Sequence, residues 1–344
     1  MTKVNLYDNA GYLNIPKIEY MADRDDISFI VIIGSRQVGK TYGTLKLMLE
    51  HASGLNPRPF ILMRRTQAEV DFILHNALNP FAAIDPNITC KRASGYHGDI
   101  IRRGESAESD ERIGIVLALT TVSKIRGFSG AMFTDLVYDE FIPERHVQRF
   151  RGEADAFLNA VVTISGNREL EDRPPLRVWL LANANNLQSP VLAALNLTAK
   201  IESMQNKQQE LSIMRDRGVM VVLPRSEQLM QRRKQTALTK ATSERTSFAR
   251  MAFDNQFAYN DSTGVRAIDL REYRYVCSVP DQFAVYQNKG TGAIAVADAV
   301  NVPPFCRNAA QFNRACPWAR QAFLNDHILF DTLRVRAAFE DFIL

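Results

Sequence analysis

The octapeptide Gly34-Ser35-Arg36-Gln37-Val38-Gly39-Lys40-Thr41 fits the spacing G-x-x-x-x-G-K-[ST] and directly follows an apolar, β-branched run, Ser28-Phe29-Ile30-Val31-Ile32-Ile33. A strand that feeds a glycine-bracketed loop and then a helix is the context that gives this spacing meaning. Gly34 and Gly39 let the loop wrap, and its N–H groups converge at the positive end of the next helix, where phosphates are at home. Lys40 then reaches the β- and γ-phosphates of ATP, and the Thr41 hydroxyl ligates Mg²⁺.

Such a loop needs a sheet around it, and the first 200 residues alternate short β-branched runs with helically spaced segments, the pattern of a parallel sheet with crossover helices. Strands are expected at 28–33, 60–64, 113–120, 133–138 and 177–182, and helices at 39–52, 66–79, 153–164 and 190–199. A hairpin at 87–103 interrupts the alternation. The strand Phe133-Thr134-Asp135-Leu136-Val137-Tyr138 runs into Asp139-Glu140. Asp139 is positioned to hold Mg²⁺ and Glu140 to polarise the attacking water. An adjacent Glu points away from kinases and Ras-type GTPases and toward the additional-strand catalytic-glutamate class of P-loop ATPases. The strand at 177–182 ends in Asn183, a candidate sensor of the γ-phosphate or the lytic water. Arg168, in Ser165-Gly166-Asn167-Arg168, follows an expected helix end, where an arginine finger toward a neighbouring subunit is one reading and a surface charge the other.

Charge divides the chain. Residues 1–200 balance 23 basic against 23 acidic side chains, while 201–344 carry 19 against 15. Between Arg225 and Arg250 there are seven basic residues and two acidic ones, a local excess suited to a polyanion; Arg232, Arg233 and Lys234 are its centre. The organisation expected is an ATPase domain over 1–200, a basic lid or linker over 201–247, and a smaller α+β domain over 248–344. Strands are read at 219–223, 273–279, 283–287 and 293–296, and an amphipathic helix closes the chain from about 326 to 342. No run approaches the ~20 apolar residues that span a bilayer. The start lacks the pattern of a signal peptide, so a cytosolic, reducing setting is expected. Cys90, Cys277, Cys306 and Cys316 lack zinc-ligand spacing and read as reduced packing residues.

Taken together, the loop, Ser123-Lys124-Ile125-Arg126-Gly127 ahead of the acidic strand, and Tyr138-Asp139-Glu140-Phe141-Ile142 resemble the genome-packaging ATPases of tailed phages. The closer resemblance is to the encapsidation proteins of phi-twenty-nine type podoviruses. It extends to Met63-Arg64-Arg65, Gly166-Asn167-Arg168-Glu169, Ala182-Asn183-Ala184 and Met251-Ala252-Phe253-Asp254-Asn255-Gln256-Phe257. The resemblance implies a homomeric ring, a pentamer, seated on the portal or connector of the prohead in the host cytoplasm and absent from the mature virion. The ring drives double-stranded DNA inward. It also implies that Arg168 acts in trans, that Lys124 or Arg126 shares that role, and that Asn183 couples hydrolysis to movement. The second domain is then an RNase H-like fold of vestigial nuclease type that docks on the connector and a packaging RNA. Its first strand, 273–279, holds no acid, and Asp281 and Asp298 lie at strand ends, too few to converge on two metals. The competing readings are another P-loop DNA translocase or helicase, a terminase large subunit with active nuclease, and a non-hydrolysing connector component.

Overall fold

The computed structural model describes residues 4–75, 78–125, 130–143, 152–184, 187, 189–237, 265–280, 282–300, 302, 306, 308–325 and 327–343. The chain forms two compact units, the first Met1–Asn185 with Ser203–Ala258, the second Asn186–Glu202 with Tyr259–Leu344. Met251–Phe257, Arg126, Asp281 and the basic residues beyond 237 lie outside the described residues.

The first unit is built on one nine-stranded sheet. Its strands are β1 (Phe29–Gly34), β2 (Phe60–Arg64), β3 (Ile88–Arg92), β4 (His97–Arg102), β5 (Glu111–Ala118), β6 (Asp135–Asp139), β7 (Arg177–Asn183), β8 (Leu211–Met214) and β9 (Val219–Val222). Their spatial order is β3-β4-β5-β2-β6-β7-β1-β9-β8. The six central strands, β5 through β9 in that order, run parallel, and antiparallel β3, β4 and β8 close the two edges. Central strands buried on both faces must be apolar throughout, and Ile30 to Ile33, Leu136 to Tyr138 and Val178 to Leu181 all are. α1 (Ile15–Arg24) precedes the first strand, and α2 (Lys40–His51), α3 (Gln67–Leu74) and α4 (Glu153–Ser165) run between later ones.

The expected strands and crossover helices are present, with end shifts of a few residues. The hairpin at 87–103 extends the sheet at one edge. The segment expected as a lid or linker differs more: β8 and β9 belong to the sheet, with β9 hydrogen-bonded directly to β1. Only α7 (Glu227–Lys234) of its described part is helical and basic. The helix expected over 190–199 is two, α5 (Pro190–Ala194) and α6 (Thr198–Asn206), because Asn196 takes a left-handed conformation (φ 49°) that ends α5.

The second unit carries a four-stranded sheet in the order β10 (Tyr273–Val279), β11 (Phe283–Asn288), β12 (Ile294–Ala297), β13 (Ile328–Phe330). The first three strands form an antiparallel meander, and β13 joins β12 in parallel. Helices α8 (Ala309–Ala315), α9 (Ala319–Leu324) and α10 (Leu333–Ile343) belong to it, as does α5 from earlier in the chain, and β13 stands where the sequence suggested only a closing helix. Phe283, Phe312, Phe330 and Phe339 make an aromatic core of edge-to-face contacts. Cys277, Cys306 and Cys316 are buried in that core as free thiols, with the sulfurs of Cys277 and Cys316 3.3 Å apart.

Candidate active site

The loop Gly34–Gly39 connects β1 to α2, and its last residue serves as the helix N-cap. Gly39 has φ 90° and makes no side-chain capping bond. Glycine suits the turn because L side chains rarely adopt that conformation. The first-turn N–H groups of α2 lack intrahelical partners and carry the helix's positive end. Lys40 folds back beneath the loop. Its Nζ donates to Gly34 O (3.0 Å), Ser35 O (2.8 Å) and Asn183 Oδ1 (3.2 Å). Burial pushes the Lys40 ammonium down to about 7; Asp139 opposes the shift and Arg233 adds to it.

Strand order brings the remaining groups to this loop. β7 lies between β1 and β6, which is the added strand of the catalytic-glutamate class, and its register sets Asn183 beside Gly34. β6 ends at Asp139, whose Oδ1 accepts the Thr41 hydroxyl at 3.0 Å. Two hard oxygen ligands meeting at the edge of the same cleft suit Mg²⁺, which takes a few protein oxygens and keeps its other waters. Burial raises the Asp139 carboxyl above its usual range, with Arg64 opposing and Glu140 adding. Glu140 stands in the left-handed region at φ 55°, a conformation costing on the order of 1 kcal/mol for a residue with a side chain. The chain is held there by Phe141 N donating to Leu181 O (3.3 Å) and by the burial of Phe141. That kink leaves the Glu140 carboxylate half in water, where a base must meet its substrate.

Arg64 belongs to this site and was seen in the sequence only as part of a resembling tripeptide. It ends β2, the parallel neighbour of β6, and donates Nη1 to Asp139 Oδ2 (2.8 Å) and Nη2 to Glu140 Oε2. The signal was available in the expected strand order, since the C-terminal ends of parallel neighbours share one rim. The walls of the cleft carried no such signal. A cavity of about 740 Å³ is lined by Tyr12, Asn14, Tyr42, Lys46 and Glu50 as well as by the loop and the acidic pair. The segment before α1 is fastened to the loop by Leu13 N donating to Val38 O (2.9 Å), a tertiary pairing that no local spacing announces. A cleft of this size falls in the range that encloses a nucleotide-sized ligand.

Two side chains are placed otherwise than their expected roles require. Arg168 is only 3% exposed, and its guanidinium donates to the carbonyls of Phe133 (2.6 Å), Ser165 (3.2 Å) and Gly130 (3.5 Å). As placed, it clamps the turn before β6 onto the end of α4 and cannot reach a neighbouring subunit without giving up those bonds. Arg233, expected to face DNA, is 8% exposed and turned inward onto the loop, donating to Ser35 Oγ (2.8 Å) and Arg36 O. Arg232, its neighbour, is exposed and donates to Ala10 O (3.1 Å), and Lys234 ends α7. Lys124 is exposed, with Nζ 4.9 Å from the centre of the Tyr96 ring.

Comparison with known proteins returned no match among curated proteins. Among solved structures, the phi-28 gp11 DNA packaging motor superposes with a TM-score of 0.64 at 14% identity, covering 95% of this chain and 96% of its own. The bacteriophage phi-29 genome packaging motor assembly superposes with a TM-score of 0.57 at 18% identity, covering 96% and 97%. At these identities the likeness is one of fold, and it spans both units. The family described as podovirus DNA encapsidation protein (Gp16) matches residues 8–301, from the segment that walls the cleft through the antiparallel strands of the smaller sheet. With that match running across most of its length, the chain belongs to the podovirus DNA encapsidation protein family.

Proposed function

We propose that this chain is an ATP-driven translocase that packages double-stranded viral DNA into the prohead, working in the infected cell as a homomeric ring of five at the portal vertex. The observation that carries this reading is the gathering of Lys40, Thr41, Asp139, Glu140 and Asn183 around one cleft by the insertion of β7 between β1 and β6. Loop N–H groups and Lys40 bind the phosphates of ATP, and Thr41 and Asp139 hold Mg²⁺. Mg²⁺ held there would neutralise charge on the phosphates. Glu140 orients the attacking water and accepts its proton once its carboxylate parts from Arg64. Asn183, bonded to Lys40 at 3.2 Å, is the residue by which β7 registers the state of the phosphates.

The cation supplied in trans is assigned to Lys124 or Arg126, since Arg168 is enclosed. DNA is met by the exposed Arg232 and by Lys234, the last residue of α7, through phosphate contacts that take no account of sequence, as a motor that moves any genome requires. The smaller unit serves as a docking module for the connector and a packaging RNA, without cutting DNA. In support, β10 contains no acidic residue, and Asp298 is ion-paired with Arg334. Packaging itself tests the proposal. Proheads, ATP and this protein should render added DNA resistant to DNase, and Lys40→Ala should abolish the protection. ATP hydrolysis without any protected DNA in complete prohead mixtures would point to another kind of P-loop motor.

A further inference from the structure

Helix α7 is anchored on the first unit by a capped start and one buried face. Ser226 accepts the N–H of Leu229 at 3.3 Å, and Leu229 is buried in the main core. Arg233 lies four residues on, hence on the same face, and reaches the phosphate-binding loop rather than solvent. Its two terminal nitrogens take different acceptors, the Ser35 hydroxyl at 2.8 Å and the Arg36 carbonyl. Ser35 in turn offers its own carbonyl to Lys40 Nζ at 2.8 Å. A continuous polar path therefore runs from α7 through Arg233 and Ser35 to the lysine that meets the phosphates. The same helix also fastens the turn between the cleft-lining Asp8 and Tyr12, with Arg232 donating to Ala10 O (3.1 Å) and Gln228 Nε2 to Asn9 O (3.5 Å).

We propose that Arg233 is a positioning residue that sets the shape of the phosphate-binding loop and thereby links nucleotide occupancy to helix α7. A planar guanidinium suits the task because its fork spans two acceptors at once, which an ammonium on a flexible stem does not hold in register. Turning the Arg36 carbonyl toward α7 keeps that oxygen engaged away from incoming phosphates. Linkage is reciprocal: whatever binds the exposed side of α7 and shifts the helix changes nucleotide affinity by the factor by which nucleotide changes its own. The inference rests on the nucleotide-binding reading of the loop.

Hydrogen–deuterium exchange on the full chain with and without a non-hydrolysable ATP analogue and Mg²⁺ separates the two. The expected result is added protection at 34–41 and at 227–237 in wild type. Arg233→Ala should keep protection at 34–41, lose it at 227–237, and weaken analogue affinity about tenfold, the loss of one charge-assisted anchor. Arg233→Lys, which retains the charge without the fork, should recover part of the affinity and little of the protection at 227–237. Protection at 34–41 alone in wild type, or an Arg233→Ala pattern identical to wild type, overturns the inference and leaves the nucleotide site standing. Protection at neither segment overturns the nucleotide reading and this inference with it.

Discussion

Lys40 is a buried ammonium held by two carbonyls and one amide oxygen, so its charge depends on what else enters the cleft. With burial holding it near 7, the side chain is charged below that pH and increasingly neutral above it. Phosphate oxygens favour the charged form and raise the pKa. Nucleotide binding without divalent metal should therefore take up no proton at pH 6 and approach one proton per site at pH 8.5. Calorimetry in two buffers of different ionisation enthalpy checks this, and equal proton uptake at both pH values contradicts it. Residue identity thus marked groups that the fold gathers at one cleft, because the spacing around Lys40 ties a strand, a loop and a helix together. It did not tell where isolated arginines turn. Arg168 and Arg233 look alike in sequence to any surface cation, and only the tertiary placement of Phe133 and Ser35 fills their donors.

Strands and their order account for most of what could be read in advance. β1, β2, β5, β6 and β7 were legible because strands buried on both faces have to be continuous apolar runs, and loop glycines and acids mark their C-terminal ends. The edge strand β8, the short β13 and helix α1 were not legible. Their sequences are mixed, and their conformation is fixed by neighbours: β8 by antiparallel pairing with β9, β13 by β12, and α1 by the Asn14 cap and packing beneath α2. The walls of the cleft escaped for the same reason. Arg168 joins the elements at the site, locking the turn at Gly130 and Phe133 to the last residue of α4 just before β6 begins. Arg168→Ala removes three carbonyl bonds to a charged donor and leaves the carbonyls buried. It should cost about 2–3 kcal/mol, a fall in Tm of roughly 5–10 °C for a unit of this size. Thermal unfolding monitors it; an unchanged Tm together with lost activity only in assembled rings would restore a role in trans.

At the scale of the molecule, the excess positive charge in the last 144 residues finds a partial explanation in the fold. Of the three central basic residues, Arg233 turns onto the loop Gly34–Gly39, and the proposal gives Arg232 and Lys234 to a polyanion. Changing Arg232 and Lys234 together to Ala should reduce the slope of log affinity for double-stranded DNA against log salt by about 2. Adding Arg233→Ala should leave the slope there. A further drop of about 1 would return Arg233 to the DNA-facing set. The first unit holds the cleft and the basic helix, and the second holds a separate small sheet with its own aromatic core. The most direct measurement of the central claim is the steady-state ATP hydrolysis rate with and without long double-stranded DNA, for wild type and for Glu140→Gln. The account predicts a wild-type rate that DNA raises and a substituted enzyme that binds nucleotide yet hydrolyses at least a hundredfold more slowly under both conditions. A Glu140→Gln enzyme that keeps the wild-type rate and its response to DNA would contradict it.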